Sequence, residues 1–92
     1  MWKTVIIDRG EKLIVRDNWL HIIVGEGERR LPLGDLYSVV LDNPRASVSQ
    51  AAMTALSTAG VHLILCGAQH LPEAVLLPLN RHSTRLPHFS AN

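Results

Sequence analysis

Cys66 and His70 are separated by three residues, a spacing that could bring a thiolate and an imidazole onto one zinc ion. A zinc site closes on three or four donors, and no second pair at metal-ligand spacing accompanies these two, so Cys66 reads as a small buried hydrophobe. Further along, Arg81 and His82 stand close to Arg85 and His88. Clustered cations hold nucleic-acid phosphates by charge-assisted hydrogen bonds and position the strand without reading its bases. The same stretch is equally consistent with a solvated junction loop. His21 and His62 sit inside strand-like apolar runs, where a single histidine packs or lines an edge.

Other chemistries are weaker. The serines lack a Gly-x-Ser-x-Gly elbow. The carboxylates (Asp8, Glu11, Asp17, Glu26, Glu28, Asp35, Asp42 and Glu73) fall in turns or on polar strand faces, where nothing pairs them for acid–base work. Gly25-Glu26-Gly27 has no strand–glycine–helix setting and reads as a turn, not a phosphate cradle. Arg9, Arg29 and Arg30 lie beside turns, where charge keeps a sheet surface wet and blunts its edges.

The elements that must hold these residues are short. Residues 4–7, 12–16, 19–24, 28–31 and 36–41 are β-branched or apolar runs with turn residues between them. Asp17-Asn18 joins two of them at the spacing of a tight hairpin. The period then changes: Val48, Ala52, Ala55, Leu56 and Ala59 form one stripe of a helix over about 47–59, with Ser47 as N-cap and Gly60 just past its end. A strand follows at 61–65. Pro72 and Pro78 confine the next one to 73–77, at a sheet edge. The expected class is α+β, mostly β: short antiparallel strands in a sheet or sandwich, with one helix followed by a strand.

The chain has 92 residues, 47% of them hydrophobic and 18% charged, with a net charge of +1. That is one domain with a true core, and no strongly basic coat for DNA. Cys66 stands alone, which precludes an internal disulfide. The apolar start is too short for a signal peptide and no run approaches the ~20 residues that cross a bilayer, so the expected location is cytoplasmic, with no membrane partner.

The order of these elements resembles the integrase of CRISPR adaptation, in its type II form. The likeness runs from Met-Trp-Lys-Thr-Val-Ile-Ile at the start through Pro32-Leu33-Gly34-Asp35-Leu36 and the alanine-rich helix to Leu63-Ile64-Leu65-Cys66. Its sharpest part is Leu71-Pro72-Glu73-Ala74-Val75-Leu76-Leu77-Pro78 followed by Arg81-His82. Family members often carry an acidic pair after the cysteine-bearing strand; Gly67-Ala68 stand there in this chain. A tyrosine with which some relatives brace the end of captured DNA has no counterpart, since Gly10 falls near its place.

The resemblance implies that residues 1–79 are an N-terminal β-rich dimerisation domain and 80–92 the start of an inter-domain linker. The helical catalytic domain would lie outside the chain, together with the magnesium or manganese that its chemistry uses. It implies no catalytic residue and no metal site here, DNA contacts from Arg81, His82 and Arg85, and a homodimer. The further partners would be the smaller adaptation subunit, DNA and the type II effector nuclease. The apolar runs at 19–24 and 36–41 suggest strands covered on both faces, so Leu20, Ile22 and Val40 are the expected dimer interface. The competing reading is a free-standing β-rich binding or adaptor module with no catalytic activity.

Overall fold

The computed structural model describes residues 3–9 and 11–79. Arg81, His82 and Arg85, and with them the expected linker, lie outside the described residues. Gly10 does as well.

Among the described residues, eight strands and one α-helix follow one another in this order: β1 (Lys3–Ile7), β2 (Lys12–Arg16), β3 (Trp19–Val24), β4 (Gly27–Pro32), β5 (Leu36–Leu41), β6 (Ser47–Val48), α1 (Gln50–Thr58), β7 (His62–Cys66) and β8 (Pro72–Leu76). They form two four-stranded sheets, in the orders β1-β5-β7-β8 and β4-β3-β2-β6. The expected class is borne out. Strand direction is more mixed than expected: β1, β5 and β7 run parallel, and only β8 is antiparallel in that sheet. The α1 crossover between β5 and β7 makes this possible, since parallel neighbours need a long connection.

Local chemistry explains the corners. Asp17 and Asn18 both take positive φ (55° and 65°), as a two-residue hairpin loop matched to strand twist demands, and Arg16 pairs directly with Trp19. Helix α1 starts later than the stripe suggested. Ser49, not Ser47, is its N-cap, its Oγ accepting from the Ala52 N–H at 3.1 Å. Ser47 is already committed, because its N–H donates to the Glu11 carbonyl at 3.0 Å in the pairing of β6 with β2. The helix closes at Gly60 (φ +84°), with Gly60 N–H on the Ser57 carbonyl and Val61 N–H on that of Leu56. This is a glycine-closed helix end whose apolar contact, Leu56 with Val61, is part of the core.

One core joins both sheets. Val5, Ile7, Val39, Leu41 and Leu63 reach it from the first sheet, Leu13, Leu20 and Ile22 from the second, and Leu56 from α1. A bulge in β5, where Lys3 pairs with Leu36 but Thr4 with Ser38, lets both Leu36 and Val39 point inward and turns Tyr37 out. Helix α1 touches β2 and β7 and lies on the core side of both sheets.

Candidate functional site

With the core closed between the sheets, function has to be carried by the two outward faces, the loops and the groove beside α1. The outer face of the β1-β5-β7-β8 sheet is uncharged at its centre. Register aligns Ile6, Val40, Ile64 and Val75 into an apolar row across all four strands. Ile6 is 65% and Val75 52% exposed, while Val40 and Ile64 are half-buried by their neighbours. The adjacent row is Thr4, Ser38 and His62. The Thr4 and Ser38 hydroxyls share a hydrogen bond of 2.9 Å, which satisfies the buried Ser38, and the Tyr37 ring meets His62 edge-on at 5.0 Å.

The outer face of the other sheet is the opposite in character. Strand alternation turns Leu13, Leu20 and Ile22 inward, so the outward rows are Arg16–Trp19–Pro32, Ile14–His21–Arg30 and Lys12–Ile23–Glu28. Trp19 is 43% exposed, and the Arg30 guanidinium carbon lies 6.0 Å from its ring centroid. His21 Nδ1 donates to Glu28 Oε2. That hydrogen bond is the largest of the influences holding the Glu28 carboxyl below its ordinary value, with the charges of His21, Arg30 and Arg16 adding to it against some desolvation. Sequence reasoning treated Arg30 as a surface charge and passed over Trp19. The alternation of 12–16 and 19–24 was the available signal, since it sets Trp19 and Arg16 on one side.

The expected interface residues are divided between core and surface. Leu20 and Ile22 are 0% and 3% exposed, covered within a single chain by the second sheet's packing on the first and on α1. They offer no surface to a partner. Val40 lies on the outward row with Ile6 and Ile64. Counting one helix as the only cover left out the opposing sheet, which is what buries Leu20 and Ile22 within the chain.

Around Cys66 the structure assembles only part of a site. His70 Nδ1 donates to Asp42 Oδ2 at 2.9 Å, in a loop where Gln69 and His70 both take φ +62°. Partial burial, and then the Asp42 carboxylate, push the Cys66 thiol above its ordinary value, which disfavours the thiolate that a nucleophile or zinc ligand needs. The Glu73 carboxylate occupies the space over Gly67. Among the described residues no three His, Cys, Asp or Glu side chains converge as a metal site, so these donors do not fit a magnesium or manganese ion. A groove of about 460 Å³ runs between α1 and the end of β8, lined by Gln50, Met53, Thr54, Leu76, Leu77 and Leu79 among others, none of which ionises. It offers shape without acid–base chemistry. No helix among the described residues is long and apolar enough to cross a membrane.

Comparison with known proteins agrees with the resemblance read from the sequence. The chain is 26% identical over 85 residues to the CRISPR-associated endonuclease Cas1 of Neisseria meningitidis serogroup C (strain 8013), a match covering 92% of this chain and 28% of that protein. Its fold is similar to a CAS1 protein from Thermotoga maritima, with a TM-score of 0.75, 10% identity, and coverage of 83% of this chain and 24% of that one. It is likewise similar to TtCas1 in a complex with DNA, with a TM-score of 0.73, 18% identity, and coverage of 91% and 32%. No family model matches the chain. The chain is thus similar to Cas1 proteins in sequence and fold, and spans only 24% to 32% of the length of these relatives.

Proposed function

We propose that residues 1–79 are the N-terminal docking domain of a CRISPR spacer-acquisition integrase, with 80–92 leading toward a catalytic domain. In this reading the domain holds two copies of the protein together and contributes no catalytic group. The observation that carries it is the uncharged row Ile6–Val40–Ile64–Val75, which spans a whole sheet and is covered by no other described element. Pairing across a two-fold axis lets one such face serve both chains. A stable interface of standard size buries about 800 Å² per partner, the area that this four-stranded face and its flanking Tyr37 would have to supply.

Light scattering tests this. The chain is expected at the mass of a dimer. Ile6→Glu and Val75→Glu should each give a folded monomer, because both side chains already reach water and a carboxylate at either position is harmless until a second copy covers it. A wild-type chain that stays monomeric at its highest soluble concentration defeats the proposal.

The partners proposed for the full-length protein are DNA, the smaller adaptation subunit and the type II effector nuclease, in the cytoplasm, with magnesium or manganese used by the catalytic domain. The 92-residue chain by itself is expected neither to cleave branched DNA nor to join a spacer end with either metal present. Activity that disappears on mutating one of its own residues would overturn that. Arg81, His82 and Arg85 are proposed to meet phosphates in the full-length protein. Arg81→Ala and Arg85→Ala should each lower the salt slope of DNA binding by about one counterion, and an unchanged slope in both favours the solvated loop.

A further inference from the structure

We infer that the outer face of the β4-β3-β2 sheet binds an unpaired nucleic-acid strand, with a base stacked on Trp19 and neighbouring phosphates held by Arg16, Arg30 and Lys12. It deepens the integrase reading and rests on it only for why nucleic acid is at hand.

The outward rows place Arg16 directly beside Trp19 in the pairing of β2 with β3, and Arg30 diagonally across from it, its guanidinium 6.0 Å from the ring centroid. Lys12 continues the same face one row beyond His21. Against these cations the face carries one carboxylate, Glu28, which is already engaged by His21. Asp17 and Glu26 lie in the hairpin loops at the two ends of the sheet, not on the face.

A large aromatic ring left 43% exposed among cations is the arrangement that single strands use: bases stack on the ring without regard to sequence, and the backbone follows the positive charge. A base pair inside a duplex has its faces occupied by its neighbours and cannot reach a ring standing on a sheet. Charge also argues against a second copy on this face, because two-fold pairing would set Arg16, Arg30 and Lys12 against themselves. The uncharged face of the other sheet has no such penalty.

The test uses the 92-residue chain with Trp2→Phe in the background, so that fluorescence reports Trp19. A thymidine oligonucleotide of about twenty residues at 50 mM salt is expected to quench this emission, and a blunt duplex of the same length to quench it far less. Read by the anisotropy of a dye-labelled oligonucleotide, since these chains lack the reporter ring, Trp19→Ala should weaken binding about tenfold and Trp19→Phe should retain most of it, because a stacking surface survives. Arg16→Ala and Arg30→Ala should each weaken binding and flatten the salt slope by about 0.7 per phosphate lost.

Absence of quenching, or equal affinity for the Trp19→Ala chain, overturns the inference. Equal displacement by polyglutamate also overturns it, since that outcome identifies an acidic protein surface as the partner. The Ile6→Glu chain is measured in parallel. Retained quenching there upholds the strand site even if the dimer reading fails, and the loss of quenching in a folded monomer counts against it.

Discussion

The two sheets share one core and show the solvent opposite faces. The first presents Ile6, Val40, Ile64 and Val75 in register, with its polar neighbours Thr4 and Ser38 bonded to each other. The second presents Arg16, Trp19, Arg30 and Lys12, with its acid bonded to its histidine. Both outer faces include exposed hydrophobic side chains, so hydrophobicity alone does not separate them. Charge does: an uncharged face gains by meeting its own copy, whereas a cationic face gains by meeting an anion and loses by meeting itself.

The largest effect should come from what the faces have in common. Leu20 is fully buried behind Trp19's sheet and packs in the core that unites both. Leu20→Glu therefore places an unpaired carboxylate in that core, at a cost of several kcal/mol, enough to unfold a domain of this size. Circular dichroism should show lost structure, and both faces should fail together. A folded Leu20→Glu monomer would return Leu20 to the interface.

The next effect separates the faces. Ile6→Glu should halve the mass in solution and leave Trp19 quenching by the thymidine strand in place. Arg30→Glu should leave the mass unchanged and weaken strand binding by more than tenfold, since it removes one phosphate partner and adds a repulsion. If either substitution moves both readouts in a folded protein, the faces are not independent and the comparison breaks.

How far the sequence could be read follows the same division. Strand limits at 12–16, 19–24 and 36–41 were legible because turn residues bracket them, and Asp17-Asn18 takes the positive φ that its residue types permit. Gly60 closed the helix as expected. The start of α1 was missed because Ser47 and Ser49 are equally good caps, and only the pairing of Ser47 with Glu11 decides between them. Leu20, Ile22 and Val40 could not be sorted into core and surface, because an apolar strand does not say whether a partner chain or an opposing sheet covers it, and the bulge in β5 that leaves Val40 outward has no signal in the run 36–41. The Trp19–Arg30 neighbourhood depends on the register of β3 with β4, which brings residues of separate strands together. The single-chain pattern holds only half of that.

A smaller effect tests whether the polar row on the uncharged face is self-sufficient. Thr4→Ala removes the hydroxyl that satisfies Ser38, which is 4% exposed and has little access to water. A loss of about 1 kcal/mol in chemical denaturation is expected, with the dimer intact. A larger loss accompanied by dissociation would mean that Thr4 also bonds across the interface, making that face less purely apolar than its register suggests.

The smallest effect is the pH response of the cationic face. Glu28 is held below its ordinary carboxyl value by the His21 hydrogen bond first, then by the charges of His21, Arg30 and Arg16. A carboxyl depressed in the folded state stabilises the fold fully above the ordinary value of 4.5 and loses that contribution as pH falls through its lowered folded value. The carboxylate is largely exposed, so solvent screening keeps the stability change small. Binding should report it with the opposite sign. Protonating Glu28 removes the one negative charge from the face, and the thymidine strand, whose bases gain no proton in this range, should bind more tightly as pH falls through the same window. Glu28→Gln should flatten both curves: stability measured by denaturation below pH 5, and affinity measured by Trp19 quenching. If Glu28→Gln leaves the wild-type slope of affinity intact, the carboxylate does not share a face with the bound phosphates, and the strand lies elsewhere.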